Sequence, residues 1–237
     1  MIPVEGIPEV REGDDLAALV AERAALEDGD VLVVAQKAVS KAEGRVVPLA
    51  DVEPSERARE LAGDRDPRHT EVILRESARV VRSRDGFLIC ETRHGFVCGS
   101  AGVDASNAPG AGTLVLLPVD PDASAARIRA RIAELAGRVV GVVVSDSFGR
   151  AWRQGTTDVA IGAAGLPVLL DLTGRRDAAG YELHATVIAV ADEIAGAAEL
   201  VMGKTDGVPT AVVRGLRLDG DGRARDLVMP RERDLFR

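Results

Sequence analysis

Two short glycine turns, Asp85-Gly86 and His94-Gly95, separate the apolar runs Val80-Val81, Phe87-Leu88-Ile89-Cys90 and Phe96-Val97-Cys98. Turns this tight join antiparallel strands. They leave no room for the crossover helix that a parallel neighbour requires. Whatever sheets the chain builds therefore cannot all be parallel, and the fold class read from it is α+β, with mixed, largely antiparallel sheets and packed helices. The core that covers those sheets must be Val, Leu, Ile and Ala, because aromatic residues make up only 3% of the sequence.

In chain order, Ile2 to Val10 is extended but interrupted by Pro3, Gly6 and Pro8, so it reads as exposed or ligand-facing backbone rather than a central strand. Asp14 and Asp15 precede Leu16, Leu19, Val20 and Ala24, a helical spacing with a capping start. Val31 to Val34 reads as a strand, and Ala35 to Arg45 as a loop offering Ser40, Lys41 and Arg45. Surface helices are expected over 54–62 and from Asp66-Pro67. Further on, Thr113 to Leu117 reads as a strand, and Ser124 opens a helix through Ile128, Ile132 and Leu135. A strand is read over Leu166 to Leu170, and one long helix from about Leu183 to Met202 that stops at Gly203. On that helix Asp192, Glu193 and Glu199 read as a solvated face. No repeat or linker divides residues 1–218, which read as one unit with room for two intimate subdomains; 219–237 reads as a polar, partly ordered tail.

Val142-Val143-Val144 is the most informative run, because it reads as a buried strand that breaks into the polar loop Ser145-Asp146-Ser147-Phe148-Gly149-Arg150. A carboxylate launched from a buried strand end is rigidly placed for a metal or a reaction, although a solvated turn has the same composition. A second small-residue loop, Gly99 to Asn107, carries Asp104, Ser106 and Asn107, which equally suit an Asx turn. Gly203-Lys204-Thr205 imitates a phosphate loop but closes a helix instead of opening one. Three histidines leave little for imidazole-based zinc chemistry, and His69 and His94 read as surface residues. What remains is oxygen chemistry: carboxylates and hydroxyls suited to hard cations bound together with a phosphorylated substrate.

A net charge of −8 excludes a phosphate-backbone partner, so neither nucleic acid nor an anionic membrane surface is expected. No apolar run approaches the roughly 18–20 residues of a spanning helix. Cys90 and Cys98 lie across a hairpin and read as free thiols in a reducing compartment, hence a cytoplasmic location.

Six separated motifs carry a resemblance: Val39-Ser40-Lys41-Ala42-Glu43-Gly44-Arg45, the stretch 101–107, the stretch 145–150, Thr157-Asp158-Val159-Ala160-Ile161-Gly162, the stretch 190–195, and Val201-Met202-Gly203-Lys204 followed by Val213-Arg214-Gly215-Leu216. Together they resemble the coenzyme F-420:L-glutamate ligase family from about Pro3 to Leu216. The resemblance implies a GTP-dependent ligase that adds L-glutamate to a deazaflavin precursor, and often further γ-linked glutamates. It also implies two divalent cations, magnesium or manganese, and a family-specific α+β fold forming an intertwined homodimer. Residue by residue, Asp104, Asp146 and Ser147 would hold metal, with Ser147 on the second ion. Asn107, Ser40 and Lys41 would contact the guanine nucleotide. Glu5, Gly6, Ile7 and Pro8 would line the same site, as would Gly203, Lys204, Asp206 and Gly207. Gln36 and Lys37 stand where the family varies.

A carboxylate is a poor electrophile, so amide formation needs activation, most simply as an acyl phosphate. Lys41, Arg150 and Arg153 are the candidates for stabilising charge in that reaction, the arginines through their bidentate fork. Two rivals share these residues: a metal-dependent phosphohydrolase, and a non-catalytic nucleotide- or deazaflavin-binding module.

Overall fold

Val31–Ala35 and Gly141–Gly149 lie side by side as parallel strands, Val31 opposite Gly141 and Ala35 opposite Ser145. In the computed structural model, which describes residues 1–235, they form the middle of the main sheet. The strands, in chain order, are β1 (Ile2–Pro3), β2 (Val31–Ala35), β3 (Val46–Pro48), β4 (Ser77–Arg84), β5 (Phe87–Thr92) and β6 (Val97–Gly99). They continue with β7 (Thr113–Val115), β8 (Gly141–Gly149), β9 (Thr156–Ala164), β10 (Leu170–Asp171), β11 (Val187–Ile188) and β12 (Thr210–Val213). The helices are α1 (Leu16–Ala21), α2 (Gln36–Ala42), α3 (Glu56–Ala62), α4 (Pro67–Glu76), α5 (Pro121–Ala136) and α6 (Val190–Met202).

The main sheet has the order β1-β12-β2-β8-β9, and β2–β8 is its one parallel pair among the described residues. Alternation along the strands explains the β-branched runs. Leu32, Val34, Val142 and Val144 face one side, where Leu16, Val20, Ile128 and Ile132 of α1 and α5 cover them. Val31, Val33 and Val143 face the other, under Ala191, Ile194, Ala195, Ala198 and Met202 of α6. A third apolar cluster joins α4 to β5 and β7 through Val72, Ile73, Leu88, Cys90 and Leu114. The hairpins at Asp85-Gly86 and His94-Gly95 form as expected, in the sheet β4-β5-β6. The architecture is mixed α+β with mainly antiparallel sheets, as the turns demanded.

Several expectations need correction. Residues 36–42 are the helix α2, not a loop; no side chain caps its start at Ala35, so the usual signal is missing. Ser145 to Phe148 are not a loop but the second half of β8, hydrogen-bonded to β9. Their polar side chains sit on strand positions that face a cavity rather than a core. Of the strand expected over 166–170, only Leu170 pairs, as the first residue of β10, with β11, and β11 lies where the start of the long helix is expected. Helix α6 begins at Val190. Helix α5 starts at Pro121 under an Asp120 cap, ahead of Ser124. Within 219–235, Ala224 is fully buried, and the Asp122 carboxylate accepts from both the Ala224 and Ala163 amides. Positions 236 and 237 lie outside the described residues.

Candidate active site

Ligands of sheets with parallel strands bind where those strands end at their carboxyl edge. Here β2 ends at Ala35, opposite Ser145 of β8, and a cavity of about 690 Å³ opens there. Its walls are Ile7 to Val10, the first turn of α2 (Gln36, Lys37, Ala38) with Lys41, and the loop Asn107 to Gly110. The far side is Ser145, Asp146, Ser147 and Asp158 of β8 and β9, with Glu199 and the turn after α6. Helix α6 comes close to β9 because Gly196 has no side chain: a Cβ there would stand 3.3 Å from the Thr157 hydroxyl. That approach carries Glu199, one helical turn on, to the cavity wall.

Two lysines tie the walls together. Lys37 Nζ donates to Asp104 Oδ2 and to Ser106 Oγ, both at 2.5 Å. Lys41 Nζ, itself nearly buried, pairs with Glu9 Oε1 at 2.5 Å. Asn107 Nδ2 donates to the Lys204 carbonyl at 3.3 Å, joining the loops on either side of the opening. Asp104 also accepts the Ser106 amide at 2.8 Å, so the Asx turn is formed while the carboxylate also holds Lys37.

The two aspartates are shifted in opposite directions. Burial pushes Asp104 up, but the Lys37 ammonium and the Ser106 amide and hydroxyl outweigh it and hold the carboxyl down to about 2. Asp146 is pushed up to about 7, by burial above all and with the Asp158 charge adding to it, against the Ser147 amide bond and the pull of Lys37 and Lys204. Glu199 is raised by burial and by Asp158 in the same way. Behind Asp146, burial and then the Asp146 charge push the Cys98 thiol up to about 12, so it is inert rather than nucleophilic.

Asp158 is 4% exposed and has no ion-pair partner among the described residues. Buried negative charge without a cation is costly. Four carboxylates (Asp104, Asp146, Asp158, Glu199) thus meet two ammonium groups (Lys37, Lys204) in one neighbourhood. The donor set is oxygen only, which suits a hard divalent cation. Among the described residues no group of three or more His, Cys, Asp or Glu side chains is gathered tightly enough to ligate an ion. The Lys37 ammonium sits against Asp104 and also acts electrostatically on Asp146.

Residues 6–215 match the family model described as F420-0:gamma-glutamyl ligase. The chain belongs to that family. It is 49% identical over 99% of its length to the coenzyme F420:L-glutamate ligase of Methanopyrus kandleri, 97% of which is covered. The corresponding ligase of Archaeoglobus fulgidus is 45% identical over all of this chain and 96% of its own. That of Methanothermobacter thermautotrophicus is 44% identical, with 98% of it covered. Membership makes this chain an enzyme of the ligase class.

Of the residues expected to serve an F420-0:gamma-glutamyl ligase, the structure brings Ile7, Pro8, Lys41, Asn107, Asp146, Ser147, Gly203, Lys204 and Gly207 to the cavity wall. Asp104 reaches it through Lys37. Ser40 is fully buried beneath, accepting from Gln36 Nε2 at 2.6 Å. Glu5, Gly6 and Asp206 stand off the wall, with Gly6 held by Arg23 Nε through its carbonyl. Arg150 and Arg153 sit at the exposed tip of the β8–β9 hairpin, outside the wall, with Arg150 donating to the Gln154 carbonyl. His94, expected at the surface, bonds through Nε2 to the Pro118 carbonyl and stacks on Phe96. Sequence reasoning gave Lys37 no firm role, missed Asp158 and read Glu199 as solvated; each lies in the wall. The available signal for Asp158 was its place in the 157–162 motif. Among the described residues no helix is long and apolar enough to cross a membrane.

Proposed function

We propose that this enzyme forms an amide between L-glutamate and the carboxylate of the deazaflavin precursor F-420-0, then further γ-glutamyl bonds, with GTP as the activating co-substrate. The observation that carries this reading is the cavity itself: acids and lysines facing one another where β2 ends beside β8. The oxygen donors of Asp104, Asp146 and Ser147 would hold two divalent cations, magnesium or manganese, which supply neutralisation of phosphate charge and alignment for in-line attack. Lys37 would leave Asp104 for a phosphate oxygen when the site fills. Lys41 and Lys204 add positive charge, and Asn107, Ile7 and Pro8 enclose the nucleotide. Ser40 supports α2 from below, and the backbone of Gly203, Gly207 and the Glu5-Gly6 segment shapes the rim beside Asp206.

The precursor's carboxylate attacks the γ-phosphorus, GDP leaves, and an acyl phosphate results. The glutamate amine attacks the acyl carbon, inorganic phosphate departs, and the amine loses its proton. Arg150 and Arg153 lie on a hairpin tip whose Trp152 is 83% exposed. In an intertwined homodimer that tip would be covered, and the arginines would act from there. The free, buried Cys90 and Cys98 thiols accord with a cytoplasmic enzyme.

Product stoichiometry tests the reading. GDP and phosphate should appear in equal amounts, one of each per glutamate added. Nucleotide turnover at the same rate without glutamate would make the protein a phosphohydrolase. Ligand-induced thermal shifts with no turnover would make it a binding module.

A further inference from the structure

Ser147 and Asp158 are register partners across β8 and β9, so their side chains stand on the same face of the hairpin. The Ser147 hydroxyl donates to Asp158 Oδ1 at 2.6 Å, and the fully buried Ser145 hydroxyl donates to Asp158 Oδ2 at 2.9 Å. A β-bulge sets this pairing: Val144 faces Gly162 while Ser145 faces Ala160, leaving Ile161 as the extra residue. Without it, a one-residue slip would turn Asp158 to the other face.

A serine hydroxyl has one proton and two lone pairs. Once its proton is committed to Asp158, Ser147 can offer the cavity only lone pairs, the arrangement a cation needs. With the proton free to swing, the same oxygen would present a donor to the cavity. Asp158 is able to fix the proton because it is itself fixed, with one oxygen on each serine. We propose that Asp158 is a positioning residue: by accepting the hydroxyl protons of Ser145 and Ser147, it orients Ser147 Oγ to ligate a divalent cation at the cavity wall. The inference rests on the reading of the cavity as a cation site.

Binding of Mn2+ to the full chain, by calorimetry and by loss of the free-ion electron paramagnetic resonance signal, tests it without turnover. Asp158→Asn removes one acceptor oxygen at constant shape. It should weaken Mn2+ binding about 10- to 100-fold, the usual effect of removing a group that orients a ligand. In a Ser147→Ala background the same substitution should change binding by less than about threefold, because the oriented atom is gone. Equal losses in both backgrounds would overturn the proposal, since Asp158 would then act on the ion directly or through the fold. If Asp158→Asn does not fold, the same cycle with Asp158→Glu, which displaces the acceptor by one methylene, decides in the same way. Asp146→Asn is the control for the underlying reading: unchanged Mn2+ binding there removes the cation site and the proposal with it. Mn2+ binding lost in Asp146→Asn but unaltered in Asp158→Asn leaves the site standing and overturns Asp158 alone.

Discussion

Lys37 Nζ lies 2.5 Å from Asp104 Oδ2, so the start of α2 is bonded to a loop far along the chain. The pair has a measurable signature. Asp104 titrates lower in the folded chain than an ordinary carboxylate, so it adds stability above the ordinary range and loses it as pH falls toward 2. Lys37→Ala removes the ammonium, so only the Ser106 amide and hydroxyl remain to oppose burial and the carboxyl titrates higher than in the native chain. The stability difference between native protein and Lys37→Ala should therefore be largest near neutral pH and shrink steadily between about pH 5 and pH 2. Urea unfolding at several pH values checks this; a constant difference would mean the ion pair does not set the Asp104 titration.

Asp30 is 1% exposed and takes Arg214 Nε and Nη2 on its two oxygens, both at 2.8 Å, while accepting the Glu27 amide. Burial raises its pKa, and the Arg214 and Glu27 bonds more than reverse this. Removing the guanidinium strands a buried charge, at about 3 kcal/mol. Arg214→Met should lower the thermal midpoint by roughly 10 °C for a chain of this size. The double variant with Asp30→Asn should recover part of that loss. A fall of under about 2 °C would show that the pair contributes little.

Gly162 adjoins the bulge that brings Asp158 to Ser147, and a Cβ added there would stand 2.2 Å from the Pro121 carbonyl oxygen. Both sides of that clash are backbone, so neither can step aside. Gly162→Ala should destabilise by more than about 3 kcal/mol or prevent folding. Thermal unfolding reads it, and a midpoint within about 3 °C of the native protein would contradict the packing described.

Much of this arrangement was legible in the sequence, for identifiable reasons. Val31 to Val34 and Val142 to Val144 announced strands covered on both faces, and Asp66-Pro67 and Asp85-Gly86 announced a helix start and a hairpin. Ser145 to Phe148 misled because a strand facing a polar cavity carries the residues of a loop. Residues 36–42 misled because α2 begins at Ala35 with no capping side chain, and its helicity comes from packing beside β2 and β8. Asp158 and Glu199 were illegible in their roles. Periodicity shows which residues share a face, whereas the bulge at Ile161 and the close approach at Gly196 decide what that face meets.

Lys41 is nearly buried and balanced by Glu9 at the rim of the cavity. If it meets phosphate charge, Lys41→Met should raise the KM for GTP by about tenfold or more, in keeping with the loss of a charge-assisted bond. The KM for glutamate should stay near its native value. An unchanged KM for GTP would confine Lys41 to holding the Ile7–Val10 segment through Glu9.

The central claim is that the Asp146 carboxylate serves the chemistry and is not needed to hold the fold. Its most direct test is amide formation by purified Asp146→Asn, assayed by mass spectrometry of the product after incubation with precursor, GTP, manganese and glutamate. The account predicts a native thermal midpoint and at least about a hundredfold less glutamylated product, the scale of losing a group that stabilises charge in the transition state. Native levels of glutamylated product from the folded variant would contradict it.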